Sequence, residues 1–124
     1  MVQLKELSGL FSIYKLNADE TIPAAVYTSD FLSITRTDEE LSIVCREMPD
    51  IKNDPVSHNW RCIKILGPLD FSMIGIIHQI TKILKKAQIS VFVISTYDTD
   101  YFLIQQHQFD AAITEFKKNT TIKI

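Results

Sequence analysis

Residues Ile94 to Ile104, ISTYDTDYFLI, constrain the fold more than any other stretch of the chain. Apolar runs flank a short polar centre, the pattern of two buried strands joined by a tight turn. A weaker copy lies 60 positions earlier, where Ile34 to Val44 reads ITRTDEELSIV. Set side by side without gaps, Ile34 pairs with Ile94, Asp38 with Asp98, Glu40 with Asp100, Ile43 with Leu103 and Val44 with Ile104. Self-similarity at a fixed spacing points to one structural unit used twice. The expectation is two related β-hairpins, hence two half-size modules within 124 residues.

The flanking sequence extends this reading. Leu10 to Leu16 is short and rich in β-formers, so it reads as a strand. Pro23 to Tyr27 fits a turn or two of helix, with Thr21 as cap and Pro23 near the first position. Phe31 to Arg36 and Glu40 to Arg46 make the first hairpin. Met48 to Asn59 holds Pro49 and Pro55 among polar residues and reads as a linker. It divides the chain into segments 1–57 and 58–124. Beyond it, Trp60 to Leu66 is a strand that Gly67-Pro68-Leu69-Asp70 stops. Ser72 to Gln88 is the best helix, with Met73, Ile76, Ile77, Ile80, Ile83, Leu84 and Ala87 forming one apolar stripe. Ile89 to Thr96 and Tyr101 to Gln105 are strands. Phe109, Ala112, Ile113 and Phe116 mark a second helix, and Thr121 to Ile124 a last edge strand. The order β-α-β-β-α-β in the second half is the split β-α-β, ferredoxin-like pattern, an α+β fold with both helices on one face of an antiparallel sheet. The first half keeps the strands and has reduced helices.

Charge and composition exclude several classes. A net charge of −2 gives no electrostatic reason for nucleic acid or an anionic membrane as partner. No apolar run approaches the roughly 20 residues of a membrane span. The first residues, Met1 to Glu6, lack the basic and apolar regions of a secretory signal, which places the chain in the cytoplasm. Cys45 and Cys62 sit in apolar strands; two reduced buried thiols are expected, while a disulfide stays open by count. His58, His78 and His107 show no ligand spacing, and the acidic turns at 38–40 and 98–100 supply too few oxygens for a dedicated cation site. No P-loop, G-x-G-x-x-G or G-x-S-x-G occurs. No metal, cofactor or catalytic constellation is expected, so the chain reads as no enzyme.

Three segments carry a family resemblance: TRTDEELSIVC from Thr35 to Cys45, GPLDFSMIGI from Gly67 to Ile76, and Ile94 to Ile104, with Pro23-Ala24 and Trp60-Arg61 also fitting. In this order they resemble the ACT-domain superfamily, in the tandem form of small bacterial proteins related to arginine sensors of the CASTOR type. The resemblance implies two ferredoxin-like modules, the N-terminal one reduced. It implies amino-acid-binding regulation, pairing into a homodimer or larger homo-oligomer, and a ligand at an interface between modules or subunits. A regulated target would be a separate protein.

What this requires of the residues can be put physically. From Gly67 to Gly75 a strand ends, the chain turns and a helix begins. Free amides at a helix start attract an amino acid's α-carboxylate. Gly67 permits close approach, and Gly75 within a helix costs about 1 kcal/mol against alanine, easier to accept where something packs close. Asp70 could cap the helix or accept from an ammonium. The candidate ligand residues here are Gly67, Pro68, Leu69, Asp70, Phe71, Met73, Ile74 and Gly75. The second wall, carried over from the resemblance, is Thr96, Tyr97 and Asp100, with Asp100 pairing with a cation and Tyr97 offering an apolar or cation–π face. The same residues also make a plain Gly-Pro turn with a capped helix, and a polar turn whose carboxylates bind local amides. The rival reading is an interaction module whose pocket is filled by side chains such as Phe71 and Tyr97.

Overall fold

The structure is a computed structural model that describes residues 2–48, 51, 55–66 and 75–124. The chain separates into two compact units. One combines Met1–Ser8 with Arg61–Ile124, and the other is Gly9–Trp60. The first eight residues thus belong with the unit otherwise built from the second half of the chain.

Strand β1 spans Val2–Leu16, twice the length expected from the sequence. Gly9 lies inside it with φ of +81°, a conformation only glycine takes readily, so the strand runs through Gly9 and starts well ahead of the expected Leu10. A 3-10 turn follows at Ala24–Thr28, with Pro23 before it; no side chain caps it, so Thr21 does not serve there. Strands β2 (Leu32–Arg36) and β3 (Leu41–Arg46) form the first hairpin. Strand β4 covers Val56–Ile65, so the expected linker is already strand from Val56 onward. Helix α1 is Ile76–Lys86, β5 is Phe92–Ser95, β6 is Asp100–Gln105, α2 is Gln106–Lys117 and β7 is Ile122–Lys123. Among the described residues the result is an α+β fold with two α-helices and a largely antiparallel sheet.

In the 9–60 unit the strand order is β2-β3-β1, antiparallel throughout. Its core is Tyr14, Leu16, Val26, Leu41, Ile43, Cys45 and Ile51, with Val26 of the 3-10 turn fully buried over the strands. In the other unit the order is β7-β1-β4-β6-β5. Residues Val2 and Gln3 pair in parallel with Ile122 and Lys123, so the last strand lies against β1. Ile80 and Leu84 of α1 and Phe109, Ala112 and Phe116 of α2 are buried against Ile63, Ile65, Phe102 and Ile104 of the strands. Ile77, expected in the stripe of α1, is 40% exposed, because it sits at the flank of the face that Ile76, Ile80, Ile83 and Leu84 present. Cys45 and Cys62 are both buried free thiols, and burial pushes the Cys45 thiol up to about 11.

The two hairpins correspond with a shift of 59 residues, not the 60 of the ungapped match. Ile34 pairs with Ile43 in the first and Val93 with Phe102 in the second. Arg36 pairs with Leu41, and Ser95 with Asp100, leaving four-residue turns at 37–40 and 96–99. With a shift of 59, the core-facing Ile43 and Cys45 match the core-facing Phe102 and Ile104. A one-residue error exchanges the two faces of a strand. A likeness at two acidic turn positions, Asp38 with Asp98 and Glu40 with Asp100, carries less weight than the burial pattern.

Candidate functional site

Seven of the expected ligand residues, Gly67, Pro68, Leu69, Asp70, Phe71, Met73 and Ile74, lie outside the described residues. Gly75 is described. It is not interior to the helix: it is the residue before α1, with φ of +89°. No side chain caps the helix there, and its carbonyl accepts the first helical bond, from the Gln79 amide at 2.8 Å. Among the described residues nothing stands within 4 Å of where a Cβ would be, and the left-handed backbone by itself calls for glycine here. At its other end α1 stops earlier than expected, because Gln88 takes φ of +58°. The amides of Gln88 and Ile89 close that end on the carbonyls of Lys85 and Leu84.

The hairpin side is built by threonines. The Thr96 amide donates to the Thr99 carbonyl at 2.8 Å. The Thr96 hydroxyl donates to the same carbonyl at 3.1 Å and accepts from the Thr99 amide at 3.3 Å. Its bonding capacity is therefore used within the turn. The Thr99 hydroxyl, almost fully buried, donates to the Ile65 carbonyl at 2.6 Å. That bond fastens the turn to the end of β4, one residue before the exposed Leu66. Sequence reasoning missed Thr99; its one signal was a threonine at the fourth turn position, where the first hairpin has Glu40. Asp100 accepts from the Ser95 hydroxyl at 2.5 Å across the first pair of the hairpin. Tyr97, at the tip, is 82% exposed. On the neighbouring strands the Lys64 ammonium lies 5.9 Å from the centre of the Tyr101 ring. Thr96, Tyr97 and Asp100 are thus gathered on one hairpin end, with Tyr97 exposed and the Asp100 carboxylate bonded to Ser95.

The 9–60 unit holds a second polar cluster that sequence reasoning also missed. Ser12, fully buried, shares a hydrogen bond of 2.9 Å with Nδ1 of His58. The same nitrogen is 3.8 Å from Glu47, and the Tyr14 ring meets the imidazole edge-on with centroids 6.4 Å apart. Burial raises the Tyr14 phenol above its usual value, opposed by Ser12 and the Met48 backbone. Among the described residues no group of three or more His, Cys, Asp or Glu could hold a metal ion. No helix among them is long and apolar enough to cross a membrane.

Comparison with known proteins bears on these features together. Residues 56–116 match the ACT domain, the segment from the start of β4 to the end of α2. Residues 9–53 match a second model, described as an N-terminal domain. Protein Atu0741 from Agrobacterium tumefaciens has the same fold, with a TM-score of 0.84 and 36% identity over 98% of this chain and 90% of that one. The chain belongs to the family of Atu0741, and it carries an ACT domain. Two more distant structures share the fold. VC0802 from Vibrio cholerae, described as a possible transport protein, has a TM-score of 0.71 and 15% identity over 94% of this chain and 88% of its own. The allosteric aspartate kinase of Clostridium acetobutylicum has a TM-score of 0.65 and 11% identity over 90% of this chain and 32% of the kinase. None of the curated proteins matches the chain. In this ACT domain α1 begins just after Gly75, and the 96–99 turn is fastened to β4 by Thr99.

Proposed function

We propose that this chain is an amino-acid-sensing regulatory protein that acts by binding and not by catalysis. The observation that carries this reading is the ACT match over the segment that combines an uncapped helix start at Gly75 with the fastened hairpin at Thr99. The recurrence of the fold in an allosteric aspartate kinase supports it. Backbone amides ahead of an uncapped helix favour an α-carboxylate, and the helix dipole adds to that preference. Asp100 supplies a carboxylate for the ammonium or a cationic side chain. In this reading residues 67–71, Met73, Ile74 and Gly75 form one wall, and Thr96, Tyr97 and Asp100 the other. A second copy of the chain completes the site, and the tandem ACT arrangement of segments 1–57 and 58–124 follows the CASTOR-type resemblance. Ligand would stabilise one arrangement of the copies, and a separate cytoplasmic target protein would read it.

A thermal-shift screen against the twenty amino acids tests this. A selective rise in melting temperature that grows with concentration is the expected result. Asp100→Ala should then weaken binding tenfold or more, about 1.4 kcal/mol, with the fold intact. A flat response across the panel would transfer the assignment to a ligand-free interaction module, a reading that the exposed Tyr97 and Val93 favour.

A further inference from the structure

The charge of the chain is unevenly divided. The 9–60 unit carries nine Asp and Glu against four Lys and Arg, whereas the other unit carries six against nine. An acidic protein therefore contains one basic unit, and the excess is concentrated on its helices. Helix α1 has Lys82, Lys85 and Lys86 and no acidic residue. Between α1 and the end of α2 lies a cleft of about 300 Å³. Lys82, Ile83 and Lys86 line it from one side, and Glu115, Lys118 and Asn119 from the other. Three ammonium groups thus meet a single carboxylate, and that carboxylate is already paired with Lys118 at 2.9 Å. Lys82 and Lys86 make no ion pair among the described residues.

Helix-end electrostatics account for only part of this. Lys85 and Lys86 occupy the last turn of α1 and suit its negative end. Lys82 stands a turn earlier, and it shares the cleft with Lys118, which comes from the other helix. Like charges four residues apart, as Lys82 and Lys86 are, disfavour a helix. An anion in the cleft would turn that repulsion into attraction. Gln79, at the same cleft, donates to the Thr121 hydroxyl at 2.5 Å, so one end of the opening is fixed by a link between α1 and the segment after α2. Ile83 provides a small apolar floor.

The geometry points to a binding site for a compact molecule bearing two or more negative charges, a phosphate ester or a polycarboxylate, in the cleft between α1 and α2. It is separate from the hairpin and helix-start residues of the amino-acid reading, and it stands or falls independently of them. Lys82, Lys86 and Lys118 supply the charge, and Asn119 a neutral amide. Being exposed, these groups bind in a salt-dependent way, with most of the attraction screened above about 0.15 M salt.

The test is a titration of the whole 124-residue chain with pyrophosphate and, separately, with citrate, followed by amide NMR shifts at about 20 mM and about 300 mM sodium chloride, salt levels at which charges are weakly and strongly screened. Expected are saturable shifts centred on 79–86 and 115–119, and at least tenfold weaker binding in the K82Q/K86Q double variant. Preference for pyrophosphate would assign phosphate esters, and preference for citrate polycarboxylates; either supports the site. The control is K85Q/K117Q, which removes the same amount of charge from α1 and α2 at positions outside the cleft lining and should leave affinity within about twofold. Equal weakening by both double variants would overturn the proposal in favour of general counterion attraction. So would shifts that never saturate, or lysine-dependent self-association at low salt, in which the acidic unit of a second copy takes the cleft.

Discussion

Thr99→Val replaces a buried hydroxyl by a methyl group of the same shape and removes one bond, the 2.6 Å donation to the Ile65 carbonyl. Two terms add. The net worth of such a bond is about 1 kcal/mol, and a buried carbonyl left without its partner costs a further 1 kcal/mol or more. The carbonyl has a second lone pair, which holds the sum near the lower end, at about 2 kcal/mol. With a urea slope of roughly 2 kcal/mol per M, the unfolding midpoint should fall by about 1 M with the slope unchanged. Thr99→Ser keeps the hydroxyl and loses only a methyl group, so it should fall by less than half as much. The assay is urea unfolding followed by circular dichroism, together with hydrogen exchange of the Thr96 and Thr99 amides. If valine and serine cost the same, or if valine costs under about 0.5 kcal/mol, the hydroxyl does not fasten the hairpin to β4 and the account of that end of the ACT domain is wrong.

Two further expectations concern backbone and pH. Gly75→Ala should cost about 1 kcal/mol from the left-handed backbone, since no described residue stands within 4 Å of the added Cβ; a neutral effect in thermal unfolding would mean that φ relaxes without penalty. Cys45, raised to about 11 in the folded state from 9.0, stays protonated there while the unfolded chain loses its proton. That contribution to stability is complete below pH 9 and is lost as pH rises toward 11, with the raised Tyr14 phenol extending the decline above pH 10. Unfolding midpoints measured from pH 8 to 11 should fall more steeply for the native chain than for Cys45→Ala, and parallel curves would contradict the burial of that thiol.

The sequence alone determined the element types, because periodicity of burial is local. Apolar runs on either side of a polar turn marked the strands of the hairpins, and residues three and four apart marked the inner faces of α1 and α2. The β-α-β-β-α order of the ACT segment followed from those periods. What tertiary structure decided were the pairings between residues far apart. The strand Val2–Leu16 runs through Gly9 because both of its parts find partners, the early one in Ile122 and Lys123 and the later one in β3. The true 59-residue shift between the hairpins is set by which face meets each core, and a match of short polar turns carries little of that information. Gly75 looked like an interior helix residue until its φ placed it ahead of the helix. The Thr99 bond to Ile65 and the meeting of Lys82 with Lys118 join positions that are 34 and 36 residues apart in sequence. A chain records such contacts only through the packing that brings them together, so no local pattern announces them.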